Sequence, residues 1–244
     1  MKNLILTGGI FHPFEKSSEA IYKLFLKEGI DSEIFENIED GLNQLDSGKY
    51  DMLTFNTLRW SMQNGEKYEP YKNQWAITLS KFGQKSIWKF LENGGGILAL
   101  HTAVICFDLW SEWGKILGAE WVWGQSYHPP YGKVFVESSS NSHYINDDLD
   151  NFEINDEVYS KLKLENDIVP LFYARSATQE EWNPVVWARN VSNGKVFFDA
   201  LGHDAESFNH PKHSEIIIRA KNWITDREKD LSLIHISEPT RHRR

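Results

Sequence analysis

The chain has 244 residues, of which 41% are hydrophobic and 25% are charged, the composition of an ordinary soluble globular protein. Its net charge of -9 argues against non-specific binding to nucleic acid, which requires a basic surface. A single cysteine, Cys106, excludes an intrachain disulfide and fits a reducing compartment, and no apolar run is long enough to span a membrane. We therefore expect a cytoplasmic protein without nucleic-acid or membrane partners.

Both ends of the chain bear on its domain organisation. Met1 to Asn3 lead directly into an apolar strand rather than into a signal peptide. The last residues, Leu231 to Arg244, have the sequence that a common transposon sequencing adapter encodes when translated in frame, and we interpret them as a non-native tail. Residues 1–230 contain no internal repeat and no low-complexity segment, so we expect them to form a single domain.

The first part of the chain alternates strands and helices. Strands are predicted at 4–6, 32–36 and 52–55, one helix at 37–46, and another that Ser17 or Ser18 caps and Gly29 ends. This β-α-β-α-β order is typical of a parallel, doubly wound sheet. Residues 56–84 form a long polar, Tyr-rich stretch, which predicts either a binding loop or a merely solvated excursion.

A short apolar strand at 97–100 follows a predicted helix at 86–92 and three consecutive glycines. Four apolar residues in a row are typical of a central strand that is covered on both faces. The strand leads directly into His101 and Thr102. Ligands of open α/β sheets bind beyond the carboxyl ends of the strands, so both residues are candidates for a functional site. The alternative is a strand-end histidine that only satisfies local hydrogen bonds.

The second part of the chain predicts more strands and two helices. The helices lie at 110–117 and 214–226, and the strand candidates lie at 118–123, 133–137, 152–159, 167–174, 185–190 and 195–200. The last two strands are joined through Ser192, Asn193 and Gly194, which predicts a β-hairpin. Two prolines make the loop at 124–132 rigid and fix the position of His128.

Histidines concentrate at the predicted strand ends and rigid loops. Four of the seven histidines that precede the tail lie in such places: His12, His101, His128 and His203. The other three are interpreted as loop or surface residues: His143, His210 and His213. Further polar groups are Asp204, beside His203, and the set Asp156, Glu157 and Tyr159. Histidine is the side chain that transfers protons most readily near neutral pH, so this distribution predicts a functional site.

The aromatic content is high, with ten tryptophans, nine tyrosines and fourteen phenylalanines. Aromatic faces stack on the apolar faces of sugar rings, so this content is compatible with a carbohydrate-binding cleft. The candidate stacking residues are Trp60, Trp75, Trp121 and Trp123. Core packing is the alternative for these tryptophans and accounts for at least half of them.

Five segments together carry a resemblance to a known family. They are GGGILALHTA at 94–103, WGQSYHPP at 123–130, NDEVY at 155–159, PVVWAR at 184–189 and GKVFFDALGHD at 194–204. In this order they resemble the trehalose-utilisation (ThuA-like) family, over residues 4 to about 224. The resemblance implies a three-layer αβα, flavodoxin-like fold of the class I glutamine amidotransferase-like superfamily, here with a mostly parallel sheet and an added β-hairpin. It also implies a role in disaccharide catabolism beside sugar dehydrogenases that produce 3-keto sugars.

Glutamine amidotransferase chemistry itself is not expected. That reaction needs a reactive cysteine at the turn that follows the central strand. This turn carries His101, Thr102 and Ala103, whereas Cys106 lies beside Ile105 and Phe107 and is interpreted as a core residue.

The first hypothesis for the function is an enzyme that acts on an oxidised (3-keto) disaccharide or glycoside. A keto group acidifies the neighbouring C–H bond, so elimination or isomerisation needs only a base and an electrophile for the enolate. His101 and His128 are predicted to transfer protons next to the carbonyl group, and Glu157 is predicted to orient them or to assist the transfer. His203 completes the catalytic set. The predicted substrate contacts are His12, Trp60, Thr102, Tyr159 and Asp204.

The second hypothesis is a domain that binds a sugar or a partner without turnover. The cofactor is left open under both. His101, His128 and His203 with a carboxylate would suit zinc or another first-row ion, but no HxxxH or CxxC spacing supports one, so a metal-free, hydrogen-bonded cleft is favoured. The expected partners are a small sugar and, functionally, a sugar dehydrogenase, and a homo-oligomer is compatible with the sequence.

Overall fold

The computed structural model describes residues 1–226, so the predicted tail at 231–244 lies outside the described residues. The strands are β1 (Lys2–Gly9), β2 (Asp31–Phe35), β3 (Met52–Leu58), β4 (Gly96–Leu100), β5 (Ala119–Glu120), β6 (Gly132–Ser138), β7 (Phe152–Asp156), β8 (Lys163–Leu164), β9 (Pro170–Ser176), β10 (Asn183–Val191) and β11 (Gly194–Asp199). The helices are α1 (Phe14–Lys27), α2 (Ile38–Leu45), α3 (Lys72–Trp75), α4 (Lys81–Glu92), α5 (Ser111–Leu117), α6 (Ala205–Asn209) and α7 (Pro211–Thr225), with 3-10 turns at Glu66–Tyr71 and His101–Ile105. None of these helices is long and apolar enough to cross a lipid bilayer.

One large sheet organises residues 1–226. Its strand order is β2-β1-β3-β4-β11-β10-β9-β6-β7, and β5 pairs with β8 in a separate ribbon. The first five strands in this order pair in parallel, and the remaining four extend the sheet in antiparallel fashion. Because β2 and β3 flank β1 on opposite sides, the chain winds in both directions. The predicted doubly wound α/β fold is confirmed, and the predicted hairpin, β10–β11, is continued by three more antiparallel strands.

Helices cover both faces of the sheet. In β1, the Thr7 hydroxyl lies 2.6 Å from the Ser18 hydroxyl of α1. The neighbouring Leu6 faces α2, whose Gly41 approaches so closely that an added Cβ would lie 2.3 Å from Leu6 Cδ2. Successive side chains of a strand point to opposite faces, so α1 and α2 lie on opposite faces of the sheet. Since α6 packs against α1 and α7, and α4 packs against α2, the three-layer αβα arrangement is complete.

The central strands are buried along their whole length. Every residue of β3, β4 and β11 is buried, as expected where helices cover both faces of a parallel sheet. Ile97, Leu98 and Leu100 are each fully buried. Burial of one such side chain stabilises the fold by about 1.5–3 kcal/mol, so the apolar run of β4 fixes the strand at the centre of the molecule.

Strand direction decides which chain segments meet at one edge of the sheet. β7 is separated from β11 by four antiparallel pairings and therefore runs in the same direction as the parallel strands. The carboxyl ends of β1, β4, β7 and β11 consequently lie at the same edge. β6 runs the opposite way, so the rigid loop that precedes it ends at this edge as well.

Several predicted element boundaries are wrong, among them the following three. α1 begins at Phe14, and Ser17 and Ser18 do not cap it but lie buried inside it, where both hydroxyls accept hydrogen bonds from Asn56 Nδ2. The strand predicted at 118–123 shrinks to β5, because its partner β8 is only two residues long. α4 begins at Lys81 rather than at residue 86, and the Ser80 hydroxyl caps it.

His213, interpreted from the sequence as a loop or surface residue, is instead fully buried in α7. Its Nε2 lies 3.0 Å from Asp199 Oδ2, and its Nδ1 lies 2.9 Å from the Ser207 hydroxyl. Burial alone would lower the pKa of His213, but the charge of Asp199 outweighs burial and raises it. The sequence does not indicate that His213 is buried, because the residue follows His210 and Pro211, which are typical of a loop. The buried ion pair joins α7 to the end of β11.

We expect Asp199→Asn to lower the free energy of unfolding by about 3–5 kcal/mol, because removal of one partner leaves the other buried without compensation. A raised pKa in the folded state stabilises the protein fully below the pKa of an unfolded histidine, and this stabilisation is lost as the pH rises through the folded pKa. Urea unfolding should therefore show the largest difference from wild type in mildly acidic buffer and a smaller one in alkaline buffer.

The matched control is Asp167→Asn, which removes an exposed carboxylate paired with Arg189. Such a surface pair contributes less than about 1 kcal/mol, so this variant should unfold almost like wild type. An Asp199 variant that behaves like the Asp167 variant contradicts the structural role of the buried pair.

Candidate functional site

Four side chains from separate strand ends converge at the carboxyl edge of the sheet. His101 follows β4 directly, Glu157 follows β7 directly, and His12 and His203 lie shortly beyond β1 and β11. The ring centroid of His12 lies 5.0 Å from that of His101 and 4.5 Å from that of His203. The centroids of His101 and His203 are 5.7 Å apart. We call these four residues the histidine–glutamate cluster.

The carboxylate of Glu157 lies at the centre of the cluster. Its Oε2 lies 3.4 Å from His101 Nε2 and 3.9 Å from His12 Nε2, and its Oε1 lies 3.4 Å from His203 Nδ1. On the other side, His128 Nδ1 lies 3.4 Å from Oε1. The Glu157 side chain is only 8% exposed, so imidazoles rather than water surround its carboxylate.

Backbone carbonyls fix the orientation of two of the imidazoles. His101 Nδ1 lies 2.6 Å from the carbonyl oxygen of Ala200, and His12 Nδ1 lies 3.3 Å from that of Ile10. A carbonyl oxygen only accepts, so Nδ1 is the donor in both rings and the Nε2 atoms face the cluster. These two Nε2 atoms are 3.2 Å apart. Two imidazole nitrogens and one carboxylate oxygen therefore face a common point.

Unusual backbone conformations adjoin two members of the cluster. His101 has φ of 45°, in the left-handed region that costs a residue with a side chain on the order of 1–3 kcal/mol. Gly202, just before His203, has φ of 115°, and an added Cβ would lie 2.6 Å from Phe208 Cζ. Strain of this kind concentrates at functional sites, because the surrounding structure must hold a side chain in one defined place.

Asp156 positions two members of the cluster through their backbone. Its buried carboxylate accepts hydrogen bonds from the backbone N–H groups of Glu157, Gly202 and His203, at 2.8, 2.8 and 3.2 Å. It also accepts one from the Ser207 hydroxyl at 2.5 Å. The end of β7 and the turn after β11 are thereby held in one register. The sequence marks Asp156 only as part of a polar group, and this positioning role depends on contacts that lie far apart in the chain.

The electrostatics of the cluster follow from burial and the central carboxylate. Burial alone would raise the pKa of Glu157, but interactions with His101, His12 and His203 outweigh it and hold the pKa well below its usual range. Burial lowers the pKa of His12, which favours the neutral ring. Burial would also lower the pKa of His203, but the carboxylate of Glu157 and nearby acidic groups outweigh it and raise that pKa.

A cavity of about 290 Å³ opens onto the cluster, near the lower limit of the roughly 300–1,000 Å³ typical of small-molecule sites. It therefore suits a ligand about the size of one sugar ring. Residues from six segments line it: Phe11, His12, Leu58, Trp60, Tyr68, Ile105, Trp121, Trp123, His128, Glu157, Tyr159 and His203. Among the histidines that lie near Glu157, His128 is the most exposed, with 39% of its side chain accessible to solvent.

Aromatic side chains form much of the cavity wall. Trp60 stacks on Trp123 with ring centroids 5.7 Å apart, and the edge of Tyr68 meets Trp60 at 5.0 Å. Trp121 packs edge-on against Tyr159 at 5.3 Å. Trp75, also predicted to stack on a sugar, lies outside the wall and instead packs under the guanidinium of Arg59.

Three predicted site residues lie away from the cavity surface. Thr102 is buried, and its hydroxyl donates to the carbonyl oxygen of Thr57 at 2.7 Å. Asp204 caps α6 by accepting from the N–H groups of Glu206 and Ser207, and also accepts from Tyr131. Neither has a polar group directed into the cavity, so direct substrate contact by Thr102 or Asp204 is not supported by the geometry. His101 is 1% exposed and lies behind the wall, within the cluster.

The remaining predicted residues meet around the cavity. His12, Trp60, His128, Glu157, Tyr159 and His203 all line it. The ring of Tyr159 stacks on His101 with centroids 4.7 Å apart. His128 contacts Glu157 from the other side, whereas His12 joins His101 and His203 in the group whose donor atoms lie within 4.8 Å of one another. Strand order decides this difference, and the sequence does not reveal it. Phe11 and Tyr68 also line the cavity, but neither has a sequence signal that separates it from other aromatic residues.

The sequence matches the model of a family described as ThuA, trehalose utilisation, over residues 2–224. No curated protein matches it. Among solved structures, a ThuA-like protein from Parabacteroides merdae ATCC 43184 superposes with a TM-score of 0.74 at 16% identity, covering 92% of this chain and 90% of that one. A ThuA-like protein from Bacteroides uniformis ATCC 8492 superposes with a TM-score of 0.68 at 17% identity, covering 94% of this chain and 93% of that one. A cytoplasmic protein from Salmonella typhimurium LT2 superposes with a TM-score of 0.57 at 14% identity, covering 92% of this chain and 97% of that one. At these identities the structural similarity establishes a shared fold.

Cys106 lies outside the cavity wall and has the character of a core residue, as the sequence predicts. Its thiol is 2% exposed, donates to the carbonyl oxygen of Thr57 at 3.2 Å and accepts from the backbone N–H of Arg59. Burial raises the pKa of Cys106 to about 12. The thiolate that a nucleophilic cysteine requires is therefore not formed near neutral pH.

We expect Cys106 to resist alkylation by iodoacetamide in the native protein at about pH 8, because the thiol is buried and protonated. Mass spectrometry should find the unmodified chain after a treatment that labels the same protein completely in urea. Stoichiometric labelling of the folded protein would contradict the assigned burial and pKa.

Proposed function

The chain belongs to the trehalose-utilisation (ThuA) family, and on this premise we propose that its cavity binds the oxidised ring of a 3-keto disaccharide or glycoside and removes the proton beside the keto group. The observation that carries the proposal is the histidine–glutamate cluster at the base of an aromatic cavity. Aromatic faces suit a sugar ring, and imidazoles suit proton transfer near neutral pH. Thiol-dependent glutamine hydrolysis is not part of the proposal.

His128 is the proposed base. Its Nδ1 donates to the carbonyl oxygen of Pro129 at 2.9 Å, which leaves the lone pair on Nε2 available. Pro129 and Pro130 stiffen the loop, and the exposed side chain lines the cavity. In the reaction the C–H bond beside the ketone breaks, the proton moves to Nε2, and the electron pair shifts to the keto oxygen as an enolate. The return of that pair can expel the neighbouring glycosidic oxygen, which takes up a proton, so the step serves elimination as well as isomerisation.

The negative charge that develops on the keto oxygen needs a positive or hydrogen-bond-donating partner. His203 is suited to this role, because its pKa is raised and it lines the cavity. Glu157 holds the surrounding imidazoles in place through its central carboxylate. His101, buried behind the cavity wall, is proposed as a positioning residue for Glu157 rather than as a group that contacts the substrate.

Sugar oxidation must precede the proposed step. An unoxidised glycoside has no carbonyl to acidify its ring C–H bonds, so a base of ordinary strength cannot remove them. A sugar dehydrogenase that introduces the keto group is therefore the proposed functional partner, and a compartment shared with that enzyme, the cytoplasm, is the proposed location.

A second candidate function, sugar binding without turnover, is favoured by the aromatic wall. Trp60, Tyr68, Trp121 and Trp123 line the cavity and offer stacking surface whether or not a proton is moved. Both functions predict that a sugar binds here. Only the catalytic one predicts chemistry at the carbon beside the ketone.

We expect the purified protein in D2O to exchange deuterium into the carbon beside the keto group of 3-ketotrehalose or a 3-ketoglucoside, and to leave trehalose unchanged. NMR spectroscopy follows the exchange and any later product. His128→Gln should slow it by about 10²–10⁴-fold, the usual contribution of a general base. His143→Gln, a change in a loop residue that does not line the cavity, should exchange like wild type.

Two outcomes would contradict the assignment. Exchange at the wild-type rate in His128→Gln would remove His128 from the role of base. A keto sugar that binds, as seen by ligand-detected NMR, without exchange in the wild-type protein would favour the non-catalytic function.

A further inference from the structure

We propose that the histidine–glutamate cluster is the binding site of one divalent first-row transition-metal ion, for which zinc is the best fit. The existence of the site stands on the geometry of the cluster alone. Its role rests on the proposed function, where the bound ion, with His203 as one of its ligands, would take over from His203 the stabilisation of the enolate. The sequence favours a metal-free cleft, because the four donors come from four strand ends and no compact ligand motif announces them.

The donor atoms have the spacing of metal ligands. One ligand atom from each of the four residues can be chosen so that all lie within 4.8 Å of one another. His101 Nε2 lies 3.2 Å from His12 Nε2 and 3.4 Å from Glu157 Oε2. Ligand atoms bound to zinc at about 2.0–2.1 Å with tetrahedral angles lie roughly 3.4 Å apart. A small shift of side chains therefore suffices to place an ion between them.

The outer contacts of the imidazoles follow the pattern of metal-binding histidines. A ligating histidine usually donates its second ring N–H to a carbonyl or carboxylate, which fixes the tautomer and directs the other nitrogen at the metal. His101 and His12 donate in this way to the carbonyl oxygens of Ala200 and Ile10. Both Nε2 atoms are thereby kept unprotonated in the neutral rings, and they face Glu157.

Two buried donor atoms of the cluster lack a hydrogen-bond partner among the described residues. They are Glu157 Oε2 and His203 Nδ1. An unsatisfied buried polar atom costs about 1–3 kcal/mol, and more when it is charged. Both atoms face the interior of the cluster, where one cation would satisfy them together. These unpaired atoms are an observation independent of the spacing, and they point to the same place.

The donor set selects the kind of ion. Three imidazoles and one carboxylate provide mostly nitrogen ligands, which suit zinc and other first-row transition ions. Calcium and magnesium prefer sets made of oxygen atoms, and thiolate-selected ions would need the distant Cys106. The cavity gives the ion an open side, because His12, Glu157 and His203 line it while His101 closes the back. A keto oxygen could occupy that open position, with His128 beside it but outside the ligand set.

The test measures metal binding directly. The full-length protein is stripped with a chelator, dialysed, and titrated with Zn²⁺ by calorimetry and with Co²⁺ by visible absorption. We expect one ion per chain, a dissociation constant in the micromolar range or tighter, and the intense visible bands of a low-symmetry, four- or five-coordinate Co²⁺ site. Absence of binding at one equivalent of either ion would overturn the proposal and leave protons as the charges that compensate Glu157.

Variants locate the ion. His203→Gln and Glu157→Gln should each weaken Co²⁺ binding at least about tenfold. Circular dichroism checks the fold of each variant. His203 has an 18% exposed side chain, so His203→Gln decides the question if the Glu157 variant does not fold. The matched controls are His143→Gln and the double change His235→Gln and His242→Gln, which should bind Co²⁺ like wild type. Binding that survives His203→Gln but is lost in a control would overturn the proposal.

Activity separates this inference from the proposed function. Deuterium exchange on a 3-keto sugar that falls at least tenfold in metal-free protein and returns with Zn²⁺ supports both. Unchanged exchange in metal-free protein keeps the proposed function and overturns the role of the ion. One bound ion without exchange on any 3-keto sugar keeps the metal site and overturns the proposed function.

Discussion

A buried negative charge governs the carboxyl edge of this sheet. Glu157 is almost fully removed from water, and a carboxylate in such a place is stable only when positive charge or hydrogen-bond donors surround it. Three imidazoles surround the carboxylate, from the ends of β1, β4 and β11. Each of these strands must therefore end in register with β7. The imidazoles outweigh burial and hold the pKa of Glu157 well below its usual range. In turn, the Glu157 carboxylate outweighs burial and raises the pKa of His203.

The register is enforced from beneath by a chain of buried polar groups. Asp156 holds the backbone of Glu157 and His203, and the Ser207 hydroxyl links it to His213, which pairs with Asp199 at the end of β11. A buried network is stabilising only when every member is satisfied, so a change at one end is felt at the other. The site and the stability of the fold consequently share the same contacts, and α7 contributes to the site without touching the cavity.

Much of the fold could be predicted from the sequence, and so could the segments that form the site. Buried apolar runs, alternating elements and glycine breaks suffice for β1 to β4, and a histidine directly after a central strand predicts a site at His101. Side-chain roles were less accessible. Thr102 and Asp204 are polar residues of the kind that contact ligands. In the structure, however, the Thr102 hydroxyl donates to a backbone carbonyl and the Asp204 carboxylate caps a helix. Whether His12 or His128 belongs to the cluster depends on the order of the strands and the path of the loops, and local sequence patterns carry no information about either.

The turn after β4 shows why chemistry here depends on residue identity rather than on the fold. In hydrolases of related design, a strained turn after a central strand exposes a nucleophile at the edge of the sheet. His101 occupies such a turn, with φ of 45°, but it presents a buried imidazole to a carboxylate. The chain's single thiol, five residues further on, is buried and protonated. In this protein the strained turn instead directs an imidazole nitrogen at the Glu157 carboxylate, so residue identity and not the fold decides which chemical group stands at this position.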